Sequence, residues 1–292
     1  MHLKPALRDV ESVYRHGHER CLLLLAEVTE PISSGDRPSQ YVRDGRPYGC
    51  ADPPAVLYRY SPDRKGIHPQ EHLRDFKGIL QADGYAGYGE IYRDGGVVEA
   101  ACMAHARRKF WDVHEKTRSA LSREALERIA ALYKIEDSVR GLPSGQRLRV
   151  RAERMAPLMA DMHAWLETTC SRISGRSDMA AAIRYSLKRW DALTLILRDG
   201  RACIDNSAAE RAMRPIALGR RNWSFAGSDA GGERAAAIYS LIETAKVNGL
   251  DPEAYLRHVI ERVADHPVNR IAELLPWNVD GIRARLDQRL AA

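Results

Sequence analysis

"LQADGYAGYGE" (residues 80–90) sets one acidic residue at the end of an apolar run and follows it at once with glycines and tyrosines. Asp83 is either the polar start of a turn or a carboxylate that a strand holds up for chemistry. Its surroundings favour a strand. "GILQAD" (78–83) reads as a short buried strand ending at Asp83. Upstream, "AVLYRYS" (55–61) alternates like a strand and "SPDRKG" (61–66) is a turn. "HPQEHLRDF" (68–76) opens with Pro at an expected first helical position. Downstream, "YAGYGEIYRDGG" (85–96) reads as a helical turn closed by glycines, and "VVEAACM" (97–103) as a strand running into the helix "AHARRKFWDVHEK" (104–116). Strand–helix alternation of this kind specifies an α/β sheet.

Residues 121–198 change character. "SREALERIAALYKIEDSVRG" (122–141) places Leu126, Ile129, Leu132 and Tyr133 at helical spacing, and two further segments (147–173 and 178–200) continue the pattern. An all-helical block is thus inserted into the α/β part, and a helical tail follows residue 251. Residues 1–54 lack a sustained period and are rich in Pro, Gly, Arg and His, a poor basis for a core.

Composition sets outer limits. Of 292 residues, 45% are hydrophobic and 29% charged, which suits a globular chain with a substantial core. The balance of 45 Lys and Arg against 39 Asp and Glu favours a polyanionic partner. Five cysteines stand singly, without a Cys-x-x-Cys pair, which argues against a disulfide framework or zinc knuckle and fits a reducing cytoplasm. The longest apolar run, "CLLLLA" (21–26), falls far short of the roughly 18 residues a membrane helix needs.

Two constellations carry chemistry. In "DNSAAERAMRP" (205–215), Asp205 or Asn206 caps a helix that Pro215 is expected to end, and Glu210 and Arg214 project from one face. "GRRNWSFAGSDAGGERAA" (219–236) mixes glycine-rich backbone with arginines, a Trp and a Phe, the composition of loops that track phosphates and stack on unpaired bases. A carboxylate at a strand end and another on a later helix are what a two-metal phosphoryl-transfer site requires. Hard Mg²⁺ or Mn²⁺ ions take oxygen ligands, and a pair roughly 4 Å apart stabilises the attacking and leaving oxygens.

These motifs, with "YRYSPDRKG", "CMAHARRKF" and "ELLPWN", occur in an order that resembles the large transposase subunit of the insertion-sequence-66 family, over roughly residues 40–280. The resemblance implies a ribonuclease H-like mixed sheet with an Asp–Asp–Glu site, interrupted by the helical insertion at about 115–198. It implies a domain over 39–250, after a poorly patterned segment at 1–38 and before a helical tail at 251–292. By position, Asp83 matches the second catalytic Asp and Glu210 the catalytic Glu, both as ligands of Mg²⁺ or Mn²⁺. Arg107, Arg108, Arg211, Arg214, Arg220, Arg221 and Lys246 would meet DNA phosphates, and Trp223 would stack on a base. DNA is then the partner, as transposon ends and target, in a homo-oligomeric complex with accessory transposition proteins, in the cytoplasm and at the nucleoid.

This chain departs from the pattern at Ser207, where a second Asn is usual, at Met103, where Trp is common, and at the first catalytic Asp. The Asp-Asp-Thr motif that carries that Asp is absent. Either "CLLLLAEV" (21–28) substitutes for its strand, or the chain is a truncated copy. Two functions follow as expectations: metal-dependent DNA strand cleavage and transfer, or DNA binding by a catalytically dead remnant.

Overall fold

The alternating run after residue 55 does form a strand, and its two edges are satisfied in different ways. The structure is a computed structural model that describes residues 24–28, 55–63, 65–82, 84–93, 95–219 and 228–279. The chain divides into two units, one of residues 1–45, 51–78 and 208–292, the other of residues 46–50 and 79–207. The described residues give an α/β chain that is mostly helical, with two two-stranded sheets.

In the first unit, β1 (Leu24–Val28) pairs in parallel with β2 (Val56–Tyr60), Leu24 opposite Val56 and Val28 opposite Tyr60. β1 lies within "CLLLLAEV", so the poorly patterned N-terminal stretch does contain a strand. The other edge of β2 is covered by a helix, α9 (Asp229–Val247). Val56 donates its N–H to Thr244 Oγ1 (3.1 Å), and that hydroxyl donates back to the Val56 carbonyl (3.0 Å). The N–H of Tyr58 goes to Ser240 Oγ (2.8 Å). Helix hydroxyls thus take the place of a third strand. A helix backbone approaches this closely because Gly232, Ala236, Ser240 and Thr244, spaced by four and all buried, form a stripe of small side chains.

The preceding helix, α8 (Ser207–Gly219), buries Ala212 and Ile216 in one cluster with Val56, Tyr58 and Ala236. Tyr58 donates its hydroxyl to the Ala212 carbonyl. Burial, with Glu243 nearby, pushes that phenol well above its ordinary pKa, so it stays a donor. Pro215 does not end α8 as the sequence predicts. It lies inside the helix, which runs on to Gly219. Proline removes one backbone bond, and the turn beyond it buries Ile216 in the cluster with Val56 and Tyr58. The short α1 (Ile67–His72) follows β2. α10 (Pro252–Val263), capped by Asp251 on the Ala254 N–H (2.8 Å), packs Tyr255 and Val259 with Leu241 and Ala245 of α9.

The second unit starts from β3 (Gly78–Gln81), paired with β4 (Val97–Ala100). Helices then dominate: α2 (Met103–Thr117), α3 (Ala120–Ser138), α4 (Ser144–Val150), α5 (Ala156–Arg172), α6 (Asp178–Lys188) and the short α7 (Trp190–Leu193). Ser119 and Ser177 cap α3 and α6. Phe110, Ile129, Leu132, Met159, Leu166 and Ile183 centre the core. A wide π turn, Arg151–Met155, joins α4 to α5 and turns Arg151 into that core. There Arg151 and Arg147, both essentially inaccessible, converge on Glu136. Arg151 bonds both carboxylate oxygens (2.9 and 2.6 Å) and Arg147 one (2.7 Å). Arg151 also holds the carbonyls of Ile196 (3.2 Å) and Ala202 (3.0 Å). Burial raises the Glu136 pKa, but the two guanidiniums outweigh it and hold the carboxyl below its ordinary value.

Two outcomes follow. Gly→Ala inside a helix ordinarily stabilises by about 0.5–1 kcal/mol. A Cβ on Gly232 would lie 2.3 Å from the Tyr60 ring, so Gly232→Ala should instead destabilise by about 1–3 kcal/mol in denaturant melts. Gly145→Ala in α4, where nothing lies within 4 Å, should not. Glu136→Gln should cost about 3–5 kcal/mol by stranding two buried guanidiniums. Because the folded pKa of Glu136 is depressed, its contribution is present above the ordinary 4.5 and is lost as pH falls through the lower folded value. The gap between wild type and variant should therefore narrow in acid.

Candidate active site

The last residue of β3 organises the site. Gln81 donates its amide to the Cys203 carbonyl (2.6 Å) and accepts the Cys203 N–H at its side-chain oxygen (3.1 Å). This two-bond clasp lets a side chain imitate a neighbouring strand. Next along, the Met103 N–H reaches the Ile204 carbonyl (2.9 Å), and the Asn206 N–H lies 3.5 Å from Cys102 Sγ. Residues 203–206 are thereby moored along the ends of β3, β4 and α2. Asp205 completes the mooring: it accepts from the Tyr133 hydroxyl (2.9 Å) and the Ser207 N–H (3.1 Å). Burial, then the Asp205 charge, pushes the Tyr133 phenol far up, so it remains the donor. α8, which begins at Ser207, carries Glu210, exposed, in its first turn.

Of the two residues proposed from sequence as the cap of α8, Asp205 supplies the bond. Asn206 instead holds its side-chain oxygen buried with no hydrogen-bond partner. Asp83 lies outside the described residues, but both its neighbours are held. The Ala82 N–H donates to the Ala100 carbonyl (3.2 Å), and the Gly84 carbonyl accepts from Arg189 Nη2 (3.2 Å). Gly84 has φ +83°, a conformation glycine adopts readily and other residues rarely do.

The expected phosphate contacts divide. Arg107 and Arg108 are exposed on α2, Arg107 stacking over the exposed Trp111 at 5.6 Å. On α8, Arg214 is exposed and Arg211 half-buried. Lys246 of α9 is ion-paired with Glu243 (2.6 Å), which offsets its charge. Arg220, Arg221 and Trp223 lie outside the described residues. Glu210 offers the oxygen donor that a hard Mg²⁺ or Mn²⁺ ion takes. No group of three His, Cys, Asp or Glu side chains is gathered as a metal site among the described residues. No helix there is long and apolar enough to cross a membrane.

The sequence reading missed Gln81, Cys203 and Tyr133. Only Gln81 left a signal, as the one amide in the apolar run that leads to Asp83.

Comparison with known proteins gives the family. Residues 39–234 match the transposase IS66 family, and residues 240–277 match the IS66 C-terminal element. The chain belongs to the IS66 transposase family. It is 43% identical over 272 residues to the uncharacterized protein y4hP of Sinorhizobium fredii, covering 86% of this chain and 49% of that one. To y4qI of the same organism, also uncharacterized, it is 38% identical over 246 residues, covering 82% and 46%. The chain thus spans about half the length of these relatives. No solved structure matches it.

If the Gln81 clasp fixes the entry to α8, Gln81→Met should destabilise the protein by about 1–3 kcal/mol, because the Cys203 backbone groups lose their partners. Hydrogen exchange at the Cys203 amide should accelerate accordingly. Unchanged exchange there would show that the clasp does not hold the segment.

Proposed function

We propose that this chain contributes the catalytic domain of an Asp–Asp–Glu DNA transposase, with a ribonuclease H-like fold over residues 39–250 that the insertion at about 115–198 interrupts. Membership of the IS66 transposase family carries this reading. The mooring of residues 203–207 beside the end of β3 supports it, since that segment leads directly into the helix bearing Glu210. In the first step water attacks a phosphodiester at the transposon end, and the bond from phosphorus to the 3′-oxygen breaks, freeing a 3′-hydroxyl. In the second, that hydroxyl attacks a target phosphodiester and displaces the 3′-oxygen of the target strand.

Asp83 and Glu210 would hold Mg²⁺ or Mn²⁺, which supplies charge stabilisation at the attacking and leaving oxygens. Arg107, Arg108, Arg211, Arg214, Arg220, Arg221 and Lys246 would neutralise phosphates, and Trp223 would stack on an unpaired base. The complex would be homo-oligomeric, work with accessory transposition proteins, and act in the cytoplasm at the nucleoid.

A second reading is DNA binding without cleavage. The absence of an Asp-Asp-Thr motif from the sequence favours it, because the third carboxylate of the site must otherwise come from elsewhere. Cleavage of a plasmid carrying the element ends, with Mn²⁺ present, separates the two. The catalytic reading expects strand cleavage by wild type that falls to background in Asp83→Ala and Glu210→Ala, with gel-shift affinity retained. Equal cleavage by the variants would overturn the site assignment. Binding by wild type with no cleavage would support the second reading.

A further inference from the structure

Two cations from distant parts of the chain share one aromatic ring beside the candidate site. Tyr185 lies near the end of α6. The Arg189 guanidinium, one turn later, sits 4.4 Å from the centre of its ring, and Lys109 Nζ, from α2, sits 5.7 Å away. Each is a cation–π attraction. No carboxylate pairs with either cation among the described residues. The pair is anchored at Gly84, the residue that follows Asp83. Arg189 Nη2 donates to its carbonyl at 3.2 Å, and a Cβ on Gly84 would stand 2.8 Å from Arg189 Nε. Glycine here both supplies the positive φ and makes room for the guanidinium. Arg189 Nε itself is buried without a hydrogen-bond partner.

Two cations held on one ring, neither paired with a carboxylate among the described residues, favour an anion there. Arg suits a phosphodiester through its planar fork, and Lys as a point charge. We propose that Lys109 and Arg189, held against Tyr185 beside Gly84, form a clamp for a DNA phosphodiester, through which the helical insertion holds a strand next to Asp83. The clamp rests on the transposase reading and adds to it a named part for the insertion. The sequence leaves both residues evenly balanced between DNA contact and a solvated face, Lys109 in a basic run and Arg189 at a charged helix end; only the fold brings them together.

The test is a salt titration of binding to a fluorescein-labelled duplex, followed by anisotropy. Removing one cation that neutralises a phosphate should flatten the slope of log affinity against log salt by about 0.9. Lys109→Gln and Arg189→Gln should each weaken binding and flatten the slope by that amount, and the double variant by about twice as much. Arg189→Lys and Lys109→Arg, which keep the charge, should restore the slope. Lys109 is exposed, so its variant stays folded and reports on the clamp even where Arg189→Gln does not. A wild-type chain that binds, with Lys109→Gln leaving affinity and slope unchanged, would overturn the clamp alone. A wild-type chain that fails to bind DNA would overturn the clamp and the DNA reading together.

Discussion

A buried strand edge must have its N–H and C=O groups paired, and each group left unpaired costs about 1–3 kcal/mol. With only two-stranded sheets among its described residues, this protein meets that demand with side chains. On β2, Thr244 and Ser240 of α9 bond the backbone of Val56 and Tyr58. At the end of β3, the Gln81 amide does the same for Cys203. In each unit, a side chain that stands in for a strand fixes the element next to the strand.

The rest of each unit follows from those substitutions. Hydroxyls reach β2 only if the helix comes close, which requires the small residues Gly232 and Ala236 on the same face. That closeness leaves one face of β2 for Ala212 and Ile216 of α8. In the second unit the Gln81 clasp, the Met103 bond to Ile204 and the Asp205 bonds to Tyr133 and Ser207 hold one five-residue segment. The buried Glu136–Arg147–Arg151 group holds the turn before it through the Ala202 carbonyl. A loop that sequence alone would leave loose is thereby held within the second unit as far as Ser207, the first residue of α8.

Much of this was legible in the sequence. Alternation gave β2, the apolar run gave β3, and helical spacing gave the helices between Ala120 and Lys188, because burial of apolar faces writes its period into the chain. The strand–helix order gave the α/β class. Pro215 misled, since the packing of Ile216 is a tertiary gain that no local rule contains. β1 stood only as one of two alternatives, because its register depends on β2 rather than on its own pattern. The clasp and the Tyr185 pair were hidden for the same reason: Gln81 meets Cys203, and Lys109 meets Tyr185, across long stretches of chain that only the fold brings together.

The proposal most in need of a test is that Asp83 and Glu210 share a metal-dependent site on DNA. Crystals of the chain soaked in Mn²⁺ and measured at the manganese absorption edge test it most directly. The account predicts an anomalous peak bonded to a carboxylate oxygen of each residue, at roughly the 2.0–2.2 Å of a hard-ion bond. A peak held by other side chains, or carboxylates of Asp83 and Glu210 too far apart to share a pair of ions, would contradict it.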